Sequence, residues 1–217
     1  MDKTDRAHRC IRWRGERNWG TMGVLKPQEW GGRVSEGIVR MARAEDAAGI
    51  AHVHVESWRS TYPGLLPDSY LARLCVDRHT RRWQAMLADH SAERRTLVAV
   101  SPSDGIIGFA SCGPQRTALG GFGGEFYAIY LADHAQGQGW GRRLMGNMAV
   151  EMLAGNRRSA VVWVLRENPS RWFYERLGGV RLAEQPIYFA GVRLTEVAYG
   201  WSDLLPLARQ AADPQMR

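Results

Sequence analysis

The chain has 217 residues, 45% hydrophobic and 24% charged, and a formal net charge of +7. That is ordinary globular composition, long enough for one domain with a sizeable core or a domain with an appendage. No run approaches the ~18 apolar residues of a membrane span, and the start lacks the charged-then-apolar pattern of a secretion signal. Cys10, Cys75 and Cys112 lie too far apart for a disulfide framework or a zinc site, so no metal and a cytoplasmic setting are expected.

The charge is unevenly spread. Residues 1–33 hold eight Lys/Arg against four Asp/Glu, which leaves only +3 on the rest of the chain. A tail carrying Arg12, Trp13, Arg14, Arg17 and Trp19 has the residue types that stack on bases and touch phosphates. It lacks periodicity and no RNA-module motif follows it, so residues 1–37 are expected to be an unstructured basic extension. Met22 and Met41 are later candidate starts. Nucleic acid is expected, if at all, only through this tail, and the domain is placed at 38–205 with a C-terminal tail at 206–217.

Ile38 to Ala42 reads as a short strand. From Ala44 to about Trp58, Ala47, Ile50, Val53 and Trp58 recur at helical spacing, and Thr61-Tyr62-Pro63-Gly64 ends that helix. His52 and His54, two apart, fall on different faces and make no metal pair. Pro67-Asp68-Ser69 opens another helix, and a third is predicted over 78–89. Residues 96–100 and 106–111, around the turn Ser101-Pro102-Ser103-Asp104-Gly105, read as a hairpin. Glu125 to Leu131 is a further strand.

Gln136-Gly137-Gln138-Gly139-Trp140-Gly141-Arg142-Arg143 stands next, before a helix with Leu144, Met145, Met148, Met152 and Leu153 on one face. Glycines between a strand and a helix leave N–H groups uncovered at the helix N-terminus, where the dipole favours an anion, and Arg142 and Arg143 add to that preference. Ala160 to Leu165 reads as a strand buried on both faces. A helix over 170–177, a Gly178-Gly179 stop and strands near 180–184 and 192–200 complete the series. The order β-α-α-β-β-β-α-β-α-β-β gives an α/β fold of mixed α+β character: one domain with a central twisted, mixed sheet flanked by helices. The unit 125–165 implies a parallel pair joined by a right-handed crossover, with the loop at the carboxyl end of its first strand.

Two common phosphate loops are excluded. The dinucleotide fingerprint needs G-x-G-x-x-G and an acidic residue about twenty positions on; the Walker loop needs Gly-Lys-Ser/Thr; neither is here. What remains, Gln136-x-x-Gly139-x-Gly141, resembles the pyrophosphate loop of the GNAT superfamily of acetyl-CoA-dependent N-acetyltransferases. Glu125 to Leu131 looks like that family's central strand. Val164 to Pro169 with Phe173 to Gly179 is similar to its next strand and helix, and Trp58 to Pro67 to its first-helix segment. The resemblance spans roughly Ile38 to Leu205.

The resemblance implies acetyl transfer from acetyl-CoA to the primary amine of a small molecule or peptide by direct attack, with no covalent intermediate on Cys112 and no metal. It implies cofactor contacts from Ile129, Tyr130 and Leu131 on the strand, from Gln136, Gly137, Gln138, Gly139, Trp140, Gly141 and Arg142 in the loop, and from Asn168. The indoles of Trp140 and Trp172 are expected to pack. Glu125, eleven residues before Gln136, has the spacing of the strand glutamate some members use as a base. Alternation would set it on one face with Tyr127 and Ile129, and the other reading is a solvated residue at a strand start. His134 is the weaker alternative base. Tyr174 is the candidate general acid for the leaving thiolate, its other reading a core anchor. Asn168 is read as a cofactor contact, a helix cap, or both. Ile129 N–H is the implied oxyanion donor.

A lysine-like amine costs about 4.6 kcal/mol to deprotonate at neutral pH and an α-amine about 1.4 kcal/mol, so the need for a base depends on the acceptor. The resemblance also implies that Trp58, Arg59 and Tyr62, with the Gly64-Leu65-Leu66 turn, border the acceptor. Aromatics with an arginine suggest a small amine bearing a carboxylate, or a peptide end. A non-catalytic acyl-CoA-binding module and a tail-dependent RNA-associated protein are the competing classes, and a homodimer is left open.

Overall fold

The computed structural model describes residues 37–89, 93–116 and 119–211. The basic extension expected at 1–37 lies, but for Gly37, outside the described residues.

On β1 (Ile38–Met41), Arg40 donates to Asp46 from both guanidinium ends, at 2.6 and 2.8 Å, and Arg43 N–H donates to the same carboxylate at 2.7 Å. These bonds settle the chain into a short 3-10 turn over Ala44–Asp46, so α1 (Ala47–Thr61) begins three residues later than its apolar spacing predicts. It stops at Tyr62 because the residue before a proline is driven from the helical region. Two shorter helices follow, α2 (Asp68–Ala72) and α3 (Val76–Ala88), the latter anchored by buried Trp83.

The expected hairpin is β2 (Arg95–Ser101) with β3 (Gly105–Pro114); Ser101 Oγ donates to Asp104 at 2.9 Å in its turn. Next come β4 (Gly124–Leu131), buried throughout, α4 (Trp140–Ala154), β5 (Ala160–Leu165) and α5 (Arg171–Arg176). A long hairpin of β6 (Val180–Phe189) and β7 (Val192–Trp201) follows, with β6 five residues longer than expected. The chain then forms an unexpected helix, α6 (Leu205–Arg209). Leu207 is buried, and a Cβ on Gly146 of α4 would come within 2.6 Å of Ala211 N. The domain therefore continues past residue 205, and a tail beginning at 206 is corrected accordingly.

The strands form one seven-stranded sheet ordered β1-β2-β3-β4-β5-β7-β6, in which β4 and β5 are the parallel pair. Two cores cover its faces. Leu144, Met145, Met148 and Met152 of α4 pack with Phe126, Ile129, Leu131, Val162 and Val197 on one side. On the other, Ile50, Val53 and Trp58 of α1 and Trp83 of α3 pack on Val98, Phe109, Ala128 and Tyr130.

One irregularity changes the site. β3 pairs Ser111 with Ala128 but Cys112 with Phe126, so Tyr127 is an extra residue on β4. A bulge resets the alternation, and Phe126 and Ile129, three apart, share the α4-facing core. The expectation that Glu125, Tyr127 and Ile129 share a face is thereby corrected.

Candidate active site

The ladder between β4 and β5 ends at Phe126↔Val162, although β4 runs on to Leu131 and β5 to Leu165. The strands splay and leave a gap. Backbone direction in that gap follows from parity. Ala132 N–H donates to Ile107 O of the β3 segment at 2.9 Å, and successive residues of an antiparallel pair point alternately toward and away from the partner. Tyr130 therefore turns its N–H and C=O to β3, while Ile129 and Leu131 turn theirs to the gap. Ser57 Oγ, donating at 3.0 Å to Leu131 O, agrees with that direction. A main-chain cofactor contact at Tyr130 is corrected on this ground; its ring stacks on His54 in the α1-side core, centroids 5.1 Å apart.

β4 delivers the chain to the glycine loop. Gly137 and Gly139 have φ of +73° and +83°, and Gly139 is the N-cap of α4. A Cβ at either would meet nothing within 4 Å. The loop thus opens onto free space at a helix N-terminus, and no acidic residue stands in the first turn of α4. Gln136 Nε2 donates to Asp133 at 3.2 Å and Gln138 Nε2 to His134 O at 2.7 Å, which ties the loop to the preceding turn. Gly141 is buried in that first turn, with Arg142 half-buried beside it. Arg143 does not face an anion: it lies over the Trp140 ring at 4.2 Å and donates to Gly37 O at 3.1 Å. The Trp140 indole is core, as expected, whereas that of Trp172 is exposed beneath Arg171, contrary to the packing expected of it.

Across the gap, Asn168 Oδ1 accepts from Ser170 N–H at 2.8 Å and so shapes the start of α5. Its Nδ2 is buried without a hydrogen-bond partner. Tyr174 packs its ring in the α4-side core, 6.2 Å from Tyr199. Burial first, then the Tyr130 hydroxyl, push its pKa well up. Tyr62, on the α1 side, is likewise raised by burial and then by Tyr130, with Tyr174 a further contributor.

Glu125 is placed otherwise than a base requires. Its carboxylate is 1% exposed and paired with Arg116, whose Nε donates to Oε1 at 3.0 Å and whose main-chain N–H donates to Oε2 at 2.8 Å. It sits at the closed end of the gap, four residues and roughly 13 Å of strand from Ile129. The candidate base is corrected to a structural ion pair. His134 is exposed in the turn before the loop. Burial pushes the Cys112 thiol up to about 12, leaving it unfit as a nucleophile at neutral pH.

Trp58 and Tyr62 meet Leu66, Leu165, Phe189 and Leu194 around a narrow apolar pocket on the α1 side. Arg59 is not in it. It leaves α1 on another side, donating to Leu74 O at 2.9 Å and Glu56 at 3.0 Å. Its placement among the acceptor-binding residues is corrected. Glu196, absent from the expected site residues, is buried on β7 directly across from Leu165 of that pocket. Its signal was in the sequence: along Val192, Leu194, Glu196 and Ala198 a carboxylate occupies a position where alternation calls for an apolar residue.

The chain is 41% identical over 169 residues to the uncharacterized N-acetyltransferase YuaI of Bacillus subtilis (strain 168), covering 78% of this chain and 95% of YuaI. This chain belongs to the GNAT acetyltransferase family. Residues 92–178, from β2 through α5, match the Acetyltransferase (GNAT) domain. Among solved GNAT-fold structures, an N-acetyltransferase from Staphylococcus aureus Mu50 superposes with a TM-score of 0.60 at 20% identity, over 78% of this chain and 99% of its own. Salmonella typhimurium yncA, solved with its cofactor acetyl-CoA, gives 0.59 at 21% identity over 78% and 95%. The GNAT fold expected from the sequence is thus the fold observed. Among the described residues no helix is long and apolar enough to cross a membrane.

Proposed function

We propose that this GNAT protein moves an acetyl group from acetyl-CoA to a primary amine by direct attack. The observation that carries the reading is the splayed β4–β5 pair, whose gap faces Ile129 and Leu131 main-chain groups and leads straight into the open glycine turn. The chain's own residues fit a phosphorylated thioester. Gly137, Gly139 and Gly141, with main-chain N–H groups from Gln138 to Trp140, would hold the pyrophosphate, flanked by Gln136 and Arg142. Leu131 and the unsatisfied Asn168 Nδ2 would hold the pantetheine arm. Bound acetyl-CoA supplies an activated acyl carbon.

The protein supplies position and charge. Ile129 N–H is set to stabilise the oxyanion, a contact of a type worth roughly 3–4 kcal/mol. Tyr174 keeps its proton until a thiolate needs it. Burial that raises the tyrosine also raises a thiol beside it, so the two remain comparable. Incubation with acetyl-CoA and a panel of amines, read by free thiol, tests the reading. Acetyl-CoA binding without amine-dependent thiol release would replace it with a binding module.

A further inference from the structure

We propose that Asp133 and Gln136 are positioning residues that fasten the glycine turn to α1, so that filling the turn with acetyl-CoA stiffens the helix that carries Trp58. The inference rests on the acetyltransferase reading for its donor and adds to that site a link between its two sides.

Two oxygens beyond the end of the β4–β5 ladder are each held from both directions. Leu131 O accepts from Ser57 Oγ of α1 at 3.0 Å and, at a longer 3.5 Å, from Gln136 Nε2. Asp133 Oδ1 accepts from Ser60 Oγ of α1 at 3.1 Å and from the same Gln136 Nε2 at 3.2 Å. Ser57 and Ser60, three apart, share one face of α1, and Trp58 lies between them in the chain. Gln136 Nε2 carries two hydrogens, one for each oxygen. Its main-chain N–H goes to Asp133 O at 3.3 Å. Gln136 therefore turns its donors to this clasp, away from an incoming phosphate, and holds the first residue of the loop in place.

The two rungs of the clasp differ in strength. Ser57 is buried, so its bond to Leu131 O is shielded from water. Ser60 and Asp133 are exposed, and Ser60 Oγ also stands 3.2 Å from Ser57 O in its own helix. Charge draws its single hydrogen toward the carboxylate, but water competes for both groups. The outer rung is thus the one that the state of the loop can change. An anion that fixes the main chain from Gly137 to Trp140 also fixes Gln136, and this lowers the ordering cost of the Asp133 rung. By reciprocity, that rung lowers the ordering cost of the turn that receives the anion. Gln138 Nε2, donating to His134 O at 2.7 Å, ties the turn to the same segment. On α1 the effect arrives at Trp58, which with Tyr62 lines the apolar pocket.

The test joins hydrogen exchange to a double-mutant cycle on acetyl-CoA affinity. Acetyl-CoA should slow amide exchange across residues 57–62 of the wild type at least about fivefold. In Asp133→Ala and in Ser60→Ala that slowing should drop below about twofold. By calorimetry each variant should bind acetyl-CoA about three- to tenfold more weakly, and the double variant no more weakly than Asp133→Ala alone. Asp133→Asn, which keeps Oδ1 as an acceptor, should return to within about twofold of wild type. Wild-type affinity in Ser60→Ala overturns the proposal, as do single losses that multiply in the double variant. Undiminished slowing over 57–62 in either variant does the same. The transferase reading fails separately: acetyl-CoA that binds and protects α1 but is never transferred to an amine leaves the link standing. Amine-dependent thiol release with no effect of Ser60→Ala on affinity leaves the transferase standing and removes the link.

Discussion

Arg116 meets both oxygens of the buried Glu125 carboxylate, one through its guanidinium and the other through its own main-chain N–H at 2.8 Å. The guanidinium also covers the Tyr127 ring at 4.1 Å, so the pair sits under an aromatic lid. Removing one partner of such a pair strands a buried charge. Glu125→Ala should destabilise the fold by about 3–5 kcal/mol. The gentler Glu125→Gln should leave kcat within about threefold while lowering the urea midpoint. A loss of kcat of the roughly hundredfold size expected of a general base, at unchanged stability, would return Glu125 to that role.

The glycine turn makes a sharper test, because side chain and ligand compete for one space. A Cβ on Gly139 points into the open, so Gly139→Ala suffers only from its φ of +83°, a strain of about 1–2 kcal/mol. Gly139→Glu adds bulk and negative charge where the pyrophosphate is proposed to lie. Its acetyl-CoA affinity should fall at least about a hundredfold by titration calorimetry, with the thermal midpoint close to that of Gly139→Ala. Binding at wild-type strength would sink the loop assignment.

How much of this site was readable beforehand depended on distance along the chain. The strand, glycine turn and helix over 125–154 are punctuated locally, and their bounds emerged within a residue or two. The bulge at Tyr127 carries no local mark, so simple alternation placed Glu125 and Ile129 together. The Arg116 clamp closes through a loop nine residues away, and nothing in either segment announces it. Arg59 looked like a pocket residue because helical spacing gives a side chain's face but not what packs there. Glu196 was legible as a charge in an apolar register, but its position across from Leu165 needed the β5–β7 pairing.

Tyr174 should separate binding from turnover. Its ring lies in the α4-side core, and burial foremost, then Tyr130, hold its hydroxyl's pKa well up. Tyr174→Phe keeps the ring and removes only the oxygen. The dissociation constant for acetyl-CoA should stay within about twofold while kcat falls roughly a hundredfold or more, the scale of a lost general acid. The deficit should shrink with a thioester whose thiol is more acidic, since that leaving group needs less help. An unchanged kcat would make the tyrosine an anchor only.

His54 yields a prediction about stability rather than chemistry. Its ring stacks on Tyr130 at 5.1 Å and meets His79 edge-on at 5.0 Å. Burial foremost, then the charges of His79 and Arg82, lower its pKa to about 3 from 6.5. A histidine whose folded pKa is depressed binds more protons unfolded than folded in the interval between the two values. Its stabilising contribution is therefore complete above pH 6.5 and is lost as the pH falls toward 3. Between pH 6.5 and 5 that loss is about 2 kcal/mol. His54→Phe, which keeps an aromatic ring of similar size in the same cluster, should remove that part of the slope. Urea unfolding at pH 7 and pH 5 measures it: the stability drop in the variant should be smaller than in wild type by about 2 kcal/mol. Equal drops in the two proteins would mean that His54 titrates in the native state as it does unfolded, and that its burial among these rings is not maintained in solution.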